Sequence, residues 1–366
     1  MRFSSSGSER EVIKTSCSTL PGPCLYLLWE MEKQVCADFS ERTKEGEMMF
    51  AVTGATGHIG GKVAARIASL GLPQRLIVRD PSRAPKLPGA DICQVSSYGD
   101  PTAMGKALSG VQTMFLVSAR EIMGVIKESK DHNTSMPYYD RLHQHICAVS
   151  AAAAVGVRHV IYLSFLNAAP DATFVLAREH FRTEEFVRST GVAFTFLRQG
   201  LYMDNVPQHI MSDDVIRAPA GQGRVSWITR DDIADCVVAV MTGHGHDGQI
   251  YDLTGPEALS MEETAERLSA VIGRKISYEA LTPHEARVNR NMSRMIDHEI
   301  LRQSIAGTGI TEPELEGWVS HYLQIATGEA GPVADSVPRL TGHPAQSLAE
   351  YLEKHPETYA HFLKES

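Results

Sequence analysis

The chain has 366 residues, 43% of them hydrophobic and 22% charged, with a formal net charge of -9. This balance suits a soluble globular enzyme with one large domain and a smaller lobe. It excludes a basic field directed at nucleic acid or an anionic membrane, and no apolar run reaches the roughly 18 residues of a spanning helix.

The six cysteines form no C-x-x-C pair, and a chain of this length needs no disulfide staples. Reduced thiols and a cytoplasmic location are therefore expected. The His143/His145 and His244/His246 pairs have no neighbouring cysteine or carboxylate cluster at ligand spacing. They are expected at the surface, without a metal.

Residues 1–47 open Ser-rich. Leu25 to Trp29 is too short to span a membrane and lacks a basic start and a small-residue cleavage site, while Glu9 and Glu11 argue against a transit peptide. The expectation is a disordered extension, or a start assigned too far upstream, because Met48 and Met49 stand directly before the first strand.

From there strand and helix patterns alternate. Met49 to Thr53 is an apolar β run, followed by a helix from Ile59 to Leu70 with Ile59, Val63, Ile67 and Leu70 on one face. Arg75 to Arg79 is the second strand, Ile92 to Val95 the third, Thr102 to Leu108 a short helix and Thr113 to Ser118 the fourth strand. Ala119 to Pro137 reads as a loop. A helix over Tyr138 to Val155 precedes the fifth strand, His159 to Ser164. Another over Phe174 to Ser189 precedes the sixth, Ala193 to Arg198. This alternation predicts an α/β fold with a doubly wound, Rossmann-type parallel sheet. Residues 48–200 form its dinucleotide-binding domain.

Beyond Gly200 the pattern loosens. A helix starts at Asp231/Asp232, a seventh strand covers Gln249 to Thr254, and Lys275 to Glu279 is strand-like. Capping boxes stand at Ser260/Glu263, Thr311/Glu314 and Ser347/Glu350. Residues 201–366 are expected to form a mixed, mostly helical substrate lobe packed on the first domain.

Gly54, Gly57 and Gly60 lie between the first strand and its helix. A pyrophosphate site needs glycine there for a tight turn, close backbone approach and close helix packing, and a helix N-terminus to receive the anion. Thr56, His58 and Ile59 belong to the same cradle. Arg79 ends the second strand, where an acid would select NAD and an arginine can pair with the 2′-phosphate of NADP. Asp80 follows it, before Pro81, and is read as capping the next segment. NADP(H) is therefore expected to be preferred over NAD(H).

Together, Thr53 to Gly60, Val78 to Pro81, Phe115 to Ser118 and Leu197 to Tyr202 resemble the NmrA-like family of atypical short-chain dehydrogenases. Leu176 to Glu184 is similar to its NADPH:quinone oxidoreductase branch. The resemblance implies that Ser118 and Ala119 border the cofactor ribose or phosphates. It places Phe165, Leu166 and Asn167 near the nicotinamide, with core packing the competing reading of the first two. It also implies a cofactor contact at Arg198. Ser97 stands where the family often carries an acid near adenine.

Typical short-chain dehydrogenases use Tyr-x-x-x-Lys. Here Tyr138, Tyr139 and Tyr162 are followed four residues on by Leu142, His143 and Leu166, so that pair is missing. His180 is the candidate proton donor in its place, or else a structural histidine. Tyr202, with Met203 and Asn205, is expected to face the cleft and line the acceptor site. Trp227 is expected in the core.

Quinone reduction needs mainly positioning, since the product can take protons from water. The expected function is thus NADP(H)-dependent hydride transfer to a quinone-like or small carbonyl acceptor. The alternatives are a catalytically silent NADP(H) sensor of the NmrA type and a reductase with one narrow biosynthetic or degradative substrate. The expected partner is the small-molecule acceptor, with no nucleic acid or membrane. A homodimer, or a protein partner for the sensor, stays open.

Overall fold

The computed structural model describes residues 48–118, 137–288 and 312–363. The expectations for residues 1–47, the 119–136 loop with Ala119, and the Thr311 capping box lie outside the described residues, as do the side chains of Tyr138 and Tyr139.

In chain order the first half runs β1 (Phe50–Thr53), α1 (His58–Ser69), β2 (Gln74–Val78), β3 (Ala90–Gln94), α2 (Pro101–Leu108) and β4 (Thr113–Leu116). It continues with α3 (Pro137–Ala154), β5 (His159–Phe165), α4 (Val175–Ser189) and β6 (Ala193–Gln199). The interior strands are short, continuous and apolar because both faces of the sheet are covered there, whereas the edge strand β3 leaves Asp91, Ile92 and Gln94 exposed. Successive side chains alternate between the faces. Val52, Phe115, Ile161 and Leu197 pack beneath α1. Ala51, Met114, Val160, Tyr162 and Phe196 pack beneath α2 and α3.

Helix α1 buries Ile59, Val63 and Ile67, one turn apart. Leu70, expected on the same face, is 56% exposed. The helix ends at Ser69, and Leu70 is its C-cap, ahead of Gly71 with φ of 69°.

The second half runs β7 (Val215–Ala218), β8 (Arg224–Val225), α5 (Arg230–Thr242), β9 (Gln249–Leu253), β10 (Leu259–Ser260), α6 (Met261–Ile272), β11 (Ser277–Ala280) and α7 (Pro283–Val288). After it come α8 (Glu312–Ala326), α9 (Ser336–Thr341), α10 (Leu348–Lys354) and α11 (Ala360–Leu363). The seven-stranded sheet has the order β3-β2-β1-β4-β5-β6-β9, parallel throughout. Strand order reverses between β1 and β4, which opens a crevice at their carboxyl ends.

The boundary expected at residue 200 is crossed repeatedly. Strand β9 extends the main sheet beside β6. Helix α5 lies on α1, where Lys62 meets Asp231 at 2.9 Å and Arg66 meets Asp231 at 2.9 Å and Asp235 at 2.6 Å. Val337 of α9 joins the same core. The remaining C-terminal segments form a second core around Trp227, Leu268, Tyr322, Ile325 and Leu352, into which Phe165, Leu166 and Phe174 reach from the first domain. Trp227 is 2% exposed, as expected, and donates its indole N–H to Thr264 at 3.1 Å. Among the described residues, no helix is long and apolar enough to cross a membrane.

Candidate functional site

The crevice begins at the end of β1. The Thr53 hydroxyl donates to the Phe115 carbonyl at 3.1 Å and accepts from the Val117 N–H at 2.9 Å, tying β1 to β4 on either side of the switch point. Gly54 then turns the chain at φ of 63°. The Gly57 N–H closes the turn on the Gly54 carbonyl at 2.8 Å. A Cβ on Gly60 would lie 2.3 Å from that carbonyl oxygen and 2.7 Å from Thr53 O, so helix α1 starts as close to the strand as backbone allows.

No side chain caps this helix, and its first turn carries no acid. Thr56, Gly57 and His58 are exposed, while Ile59 and Gly60 are buried. A 12-residue helix with an uncapped N-terminus at an exposed, side-chain-poor loop supplies the amides and dipole that a diphosphate requires. The residues present thus fit a dinucleotide.

Arg79 stands exposed one residue past β2. Its carbonyl accepts from the Gln94 amide at 3.1 Å, which pins its backbone to β3. Asp80 behaves as expected: its carboxylate accepts from the Ser82 N–H at 2.9 Å and hydroxyl at 2.6 Å. These bonds hold the Asp80 carboxyl below its usual range. Ser118 follows β4 and is half-buried.

At the other side of the crevice, Phe165 and Leu166 are 7% and 4% exposed. The Phe165 ring lies 5.0 Å from Phe174 and 5.9 Å from His180. The Leu166 N–H donates to Gln199 O at 2.9 Å, and Asn167 takes the left-handed conformation at φ of 56°. Arg198 turns its guanidinium toward α4, where Nε and Nη2 donate to the two Glu184 oxygens at 2.9 and 2.6 Å.

His180 faces inward, 6% exposed. Its Nδ1 lies 2.8 Å from the Tyr162 hydroxyl, which is 3.5 Å from His145 Nδ1, itself 3.0 Å from the Thr183 hydroxyl. Burial drives the His180 pKa well below the ordinary histidine value and that of His145 to about 3, so both rings are neutral at pH 7. The same desolvation pushes the Tyr162 phenol up. Beside them, burial raises Glu179 to about 7 although Arg141 stands 3.6 Å away.

Two sequence expectations are corrected here. His145 is fully buried, because α3 turns that face onto the sheet. Met203, expected at the cleft, is 1% exposed in the second core. A short bridge between Tyr202 and Ile228 alternates the side chains and sends Met203 inward. Tyr202 itself is half-buried, with the Arg230 guanidinium 4.4 Å from its ring centre. Arg230 is held by Asp204 at 3.1 Å and by Asn205 at 3.1 Å.

Sequence reasoning passed over Ser164, Glu184 and the Tyr162–His180–His145 chain. A signal was present: His180, Thr183 and Glu184 share the helical face of Ala177 and Val187, where apolar residues are the rule. A cavity of about 190 Å³ lies at the opposite, amino ends of the strands, beside Thr113 and His159, away from the phosphate loop.

A doubly wound sheet with a glycine cradle at its switch point defines an NAD(P)-binding Rossmann-type protein. Over residues 47–306 the chain matches the NmrA-like family, and it belongs to that family. The NAD(P)H azoreductase of Xenophilus azovorans is 30% identical over 315 residues, covering 85% of this chain and 99% of its own. The structure of an NADPH-dependent quinone oxidoreductase of Escherichia coli complexed with NADPH superposes with a TM-score of 0.70 at 27% identity, covering 84% of this chain and 99% of that one. The Citrobacter sp. triphenylmethane reductase complexed with NADP(H) gives 0.68 at 27% identity over 83% and 99%. With this fold and these relatives the chain is an oxidoreductase of the NAD(P)-binding kind.

Proposed function

We propose that the protein is an NADPH-dependent reductase of quinone-like or small carbonyl acceptors. The observation that carries this reading is the uncapped, side-chain-poor start of α1 beside an exposed Arg79 whose acidic neighbour is occupied by Ser82. Gly54, Thr56, Gly57, His58, Ile59 and Gly60 would hold the pyrophosphate, and Arg79 the 2′-phosphate. Ser118 would border the ribose, while Phe165, Leu166, Asn167 and Arg198 would form the nicotinamide end. When bound, the reduced nicotinamide supplies the hydride.

The chain's own part is to bind, orient and exclude water. Phe165 and Leu166 bring apolar bulk to the ends of β5, and Tyr202 under Arg230 offers an aromatic wall on the C-terminal side. His180 is neutral and bonded to Tyr162, which suits it to hold the β5–α4 geometry rather than to act as a charged acid. Protonation of the reduced acceptor then falls to water, which a quinone tolerates better than an alkoxide does.

The test is NADPH oxidation by the purified protein against a panel of quinones, small carbonyls and azo or triphenylmethane dyes. Turnover on at least one acceptor class, with NADPH preferred over NADH, is expected. Tight NADPH binding with no turnover on any of them would replace this reading with that of a cofactor sensor.

A further inference from the structure

Glu184 is fully buried, with 0% exposure, yet it carries a carboxylate. Both oxygens are engaged. Oε1 accepts from the Ser164 hydroxyl at 2.6 Å and from Arg198 Nε at 2.9 Å. Oε2 accepts from Arg198 Nη2 at 2.6 Å, with Arg188 3.6 Å away. Ser164 and Arg198 are register partners on β5 and β6, and the next rung pairs Phe165 with Gln199.

One carboxylate on α4 therefore grips neighbouring strands a single rung before each leaves the sheet. On β5 the chain goes on to Leu166 and left-handed Asn167. On β6 it goes on to Gly200, where an added Cβ would lie 3.2 Å from the Ser226 carbonyl oxygen.

A buried carboxylate is a costly way to hold a helix on a sheet, since apolar side chains of similar volume commonly do as well. What apolar contacts cannot do is fix the direction of two donors at once. Arg198 shows the coupling from the other side: Glu184 raises its pKa despite burial, so the guanidinium is locked as a cation in one orientation.

We propose that Glu184 is a positioning residue for the nicotinamide end of the cofactor site. Through Ser164 and Arg198 it sets the ends of β5 and β6, and with them the Phe165–Asn167 turn. The proposal rests on the cofactor reading above, and it separates the two ends of the dinucleotide. The phosphate loop on β1 and α1 shares no hydrogen bond with Glu184, so affinity and alignment should come apart.

The experiment compares Glu184→Asp, which keeps the charge but shortens its reach, with Ser164→Ala, which removes one tie and leaves the ion pair. Arg188→Met serves as the control: it removes the outer charge, together with the Glu185 pair and the stacking on Phe194 and Phe196, and leaves both strand ties of Glu184 in place. Three quantities are read on folded protein, well below the melting midpoint: the NADPH dissociation constant, the fluorescence enhancement of the bound reduced nicotinamide, and kcat with a quinone.

Both test variants should keep NADPH affinity within about threefold, lose most of the enhancement, and fall in kcat by roughly 10–100-fold, the range expected when alignment slips by about an ångström. The control should match wild type in all three. If either test variant is folded and keeps wild-type enhancement and kcat, the proposal is overturned. It is also overturned if affinity and kcat fall together in step with the folded fraction, which is what a merely structural role would give. Wild-type protein that binds neither NADPH nor NADH sinks the cofactor reading and this proposal together, whereas indifferent variants of a wild type that binds sink this proposal alone.

Discussion

At the residue scale, the tightest constraint in the site is a missing methyl group. A Cβ on Gly60 would sit 2.3 Å from Gly54 O, so Gly60→Ala must push α1 away from the loop that it is meant to serve. Gly71 supplies the contrast: its φ of 69° strains any other residue, but nothing lies within 4 Å of its added Cβ. Gly71→Ala should cost about 1 kcal/mol of stability and leave nucleotide affinity unchanged. Gly60→Ala should weaken NADPH binding by at least about tenfold, because amides aimed at a buried anion lose strength steeply with misplacement. Thermal melting and NADPH titration of the pair separate the two effects, and equal affinities would show that α1 does not receive the phosphates. Arg79 makes a different kind of prediction. A charge-assisted bond to the 2′-phosphate is worth about 1.5–3 kcal/mol, so Arg79→Ala should erode the NADPH-over-NADH preference by roughly 10–100-fold and leave NADH untouched. An unchanged ratio of the two dissociation constants would remove Arg79 from the site.

At the element scale, the sequence was most readable where a local rule decides the backbone. Ser260 and Glu263 form the expected reciprocal cap, and Gly273 ends α6 in the left-handed conformation. Ser347 and Glu350 do the same for α10. Ser260→Ala should therefore cost about 1 kcal/mol, seen as a lower melting midpoint with NADPH affinity intact, since α6 lies in the C-terminal core. A loss of affinity instead would mean that α6 communicates with the phosphate loop. The six strands before Gly200 were also legible, with ends shifted by a residue or two: five are largely buried and leave apolar runs, and the exposed edge strand β3 keeps a short run from Ile92 to Val95. Strands β8 and β10 were not. Each is two residues long and exists only through pairs such as Leu259 with Val225, which no local pattern announces. The return of α5 and β9 to the first domain was hidden for the same reason, as it depends on Asp231 meeting Lys62 and Arg66 across 169 and 165 positions of sequence. In the site, the glycine turn between β1 and α1 and the position of Arg79 just past β2 could be read because spacing and strand context specify them. Glu184 showed only its place on the inward face of α4, because its partners Ser164 and Arg198 come from two strands that only the folded sheet brings to it.

At the scale of the whole molecule, four histidines, two buried and two half-buried, make stability a function of pH. Burial holds His145 and His209 near 3 and His321 near 4, and puts His180 well below its ordinary value. They span both cores: His145 and His180 bracket Tyr162 beneath the sheet, while His209 meets the Tyr322 hydroxyl and His321 packs edge-on to Phe174 in the C-terminal core. In the unfolded chain each binds a proton near pH 6.5, and in the fold each refuses it. The sign follows from linkage. The unfolded state takes up more protons as pH drops, so the stability that these groups contribute is complete above about pH 6.5 and is lost progressively below it, toward their depressed folded values. Each contributes a slope on the order of 1 kcal/mol per pH unit. Glu179 acts in the opposite sense. Raised to about 7, it contributes stability that is complete below its unfolded value of 4.5 and is lost as pH rises through 7, so between those limits it offsets roughly one histidine. Buried Asp232 and half-buried Asp252, also shifted up by desolvation, work in the same direction as Glu179. One to three uncompensated imidazoles against a typical stability of about 5–15 kcal/mol should bring global unfolding within a few pH units below neutrality. The melting midpoint should be level from pH 8 to about 6.5 and then fall steeply. His145→Gln, which keeps a polar partner for Thr183 but cannot titrate, should flatten that fall by roughly a third. A midpoint that stays level down to about pH 5 would mean that these imidazoles gain protons in the folded state, and that the Tyr162–His180–His145 chain opens to water far more readily than its burial implies.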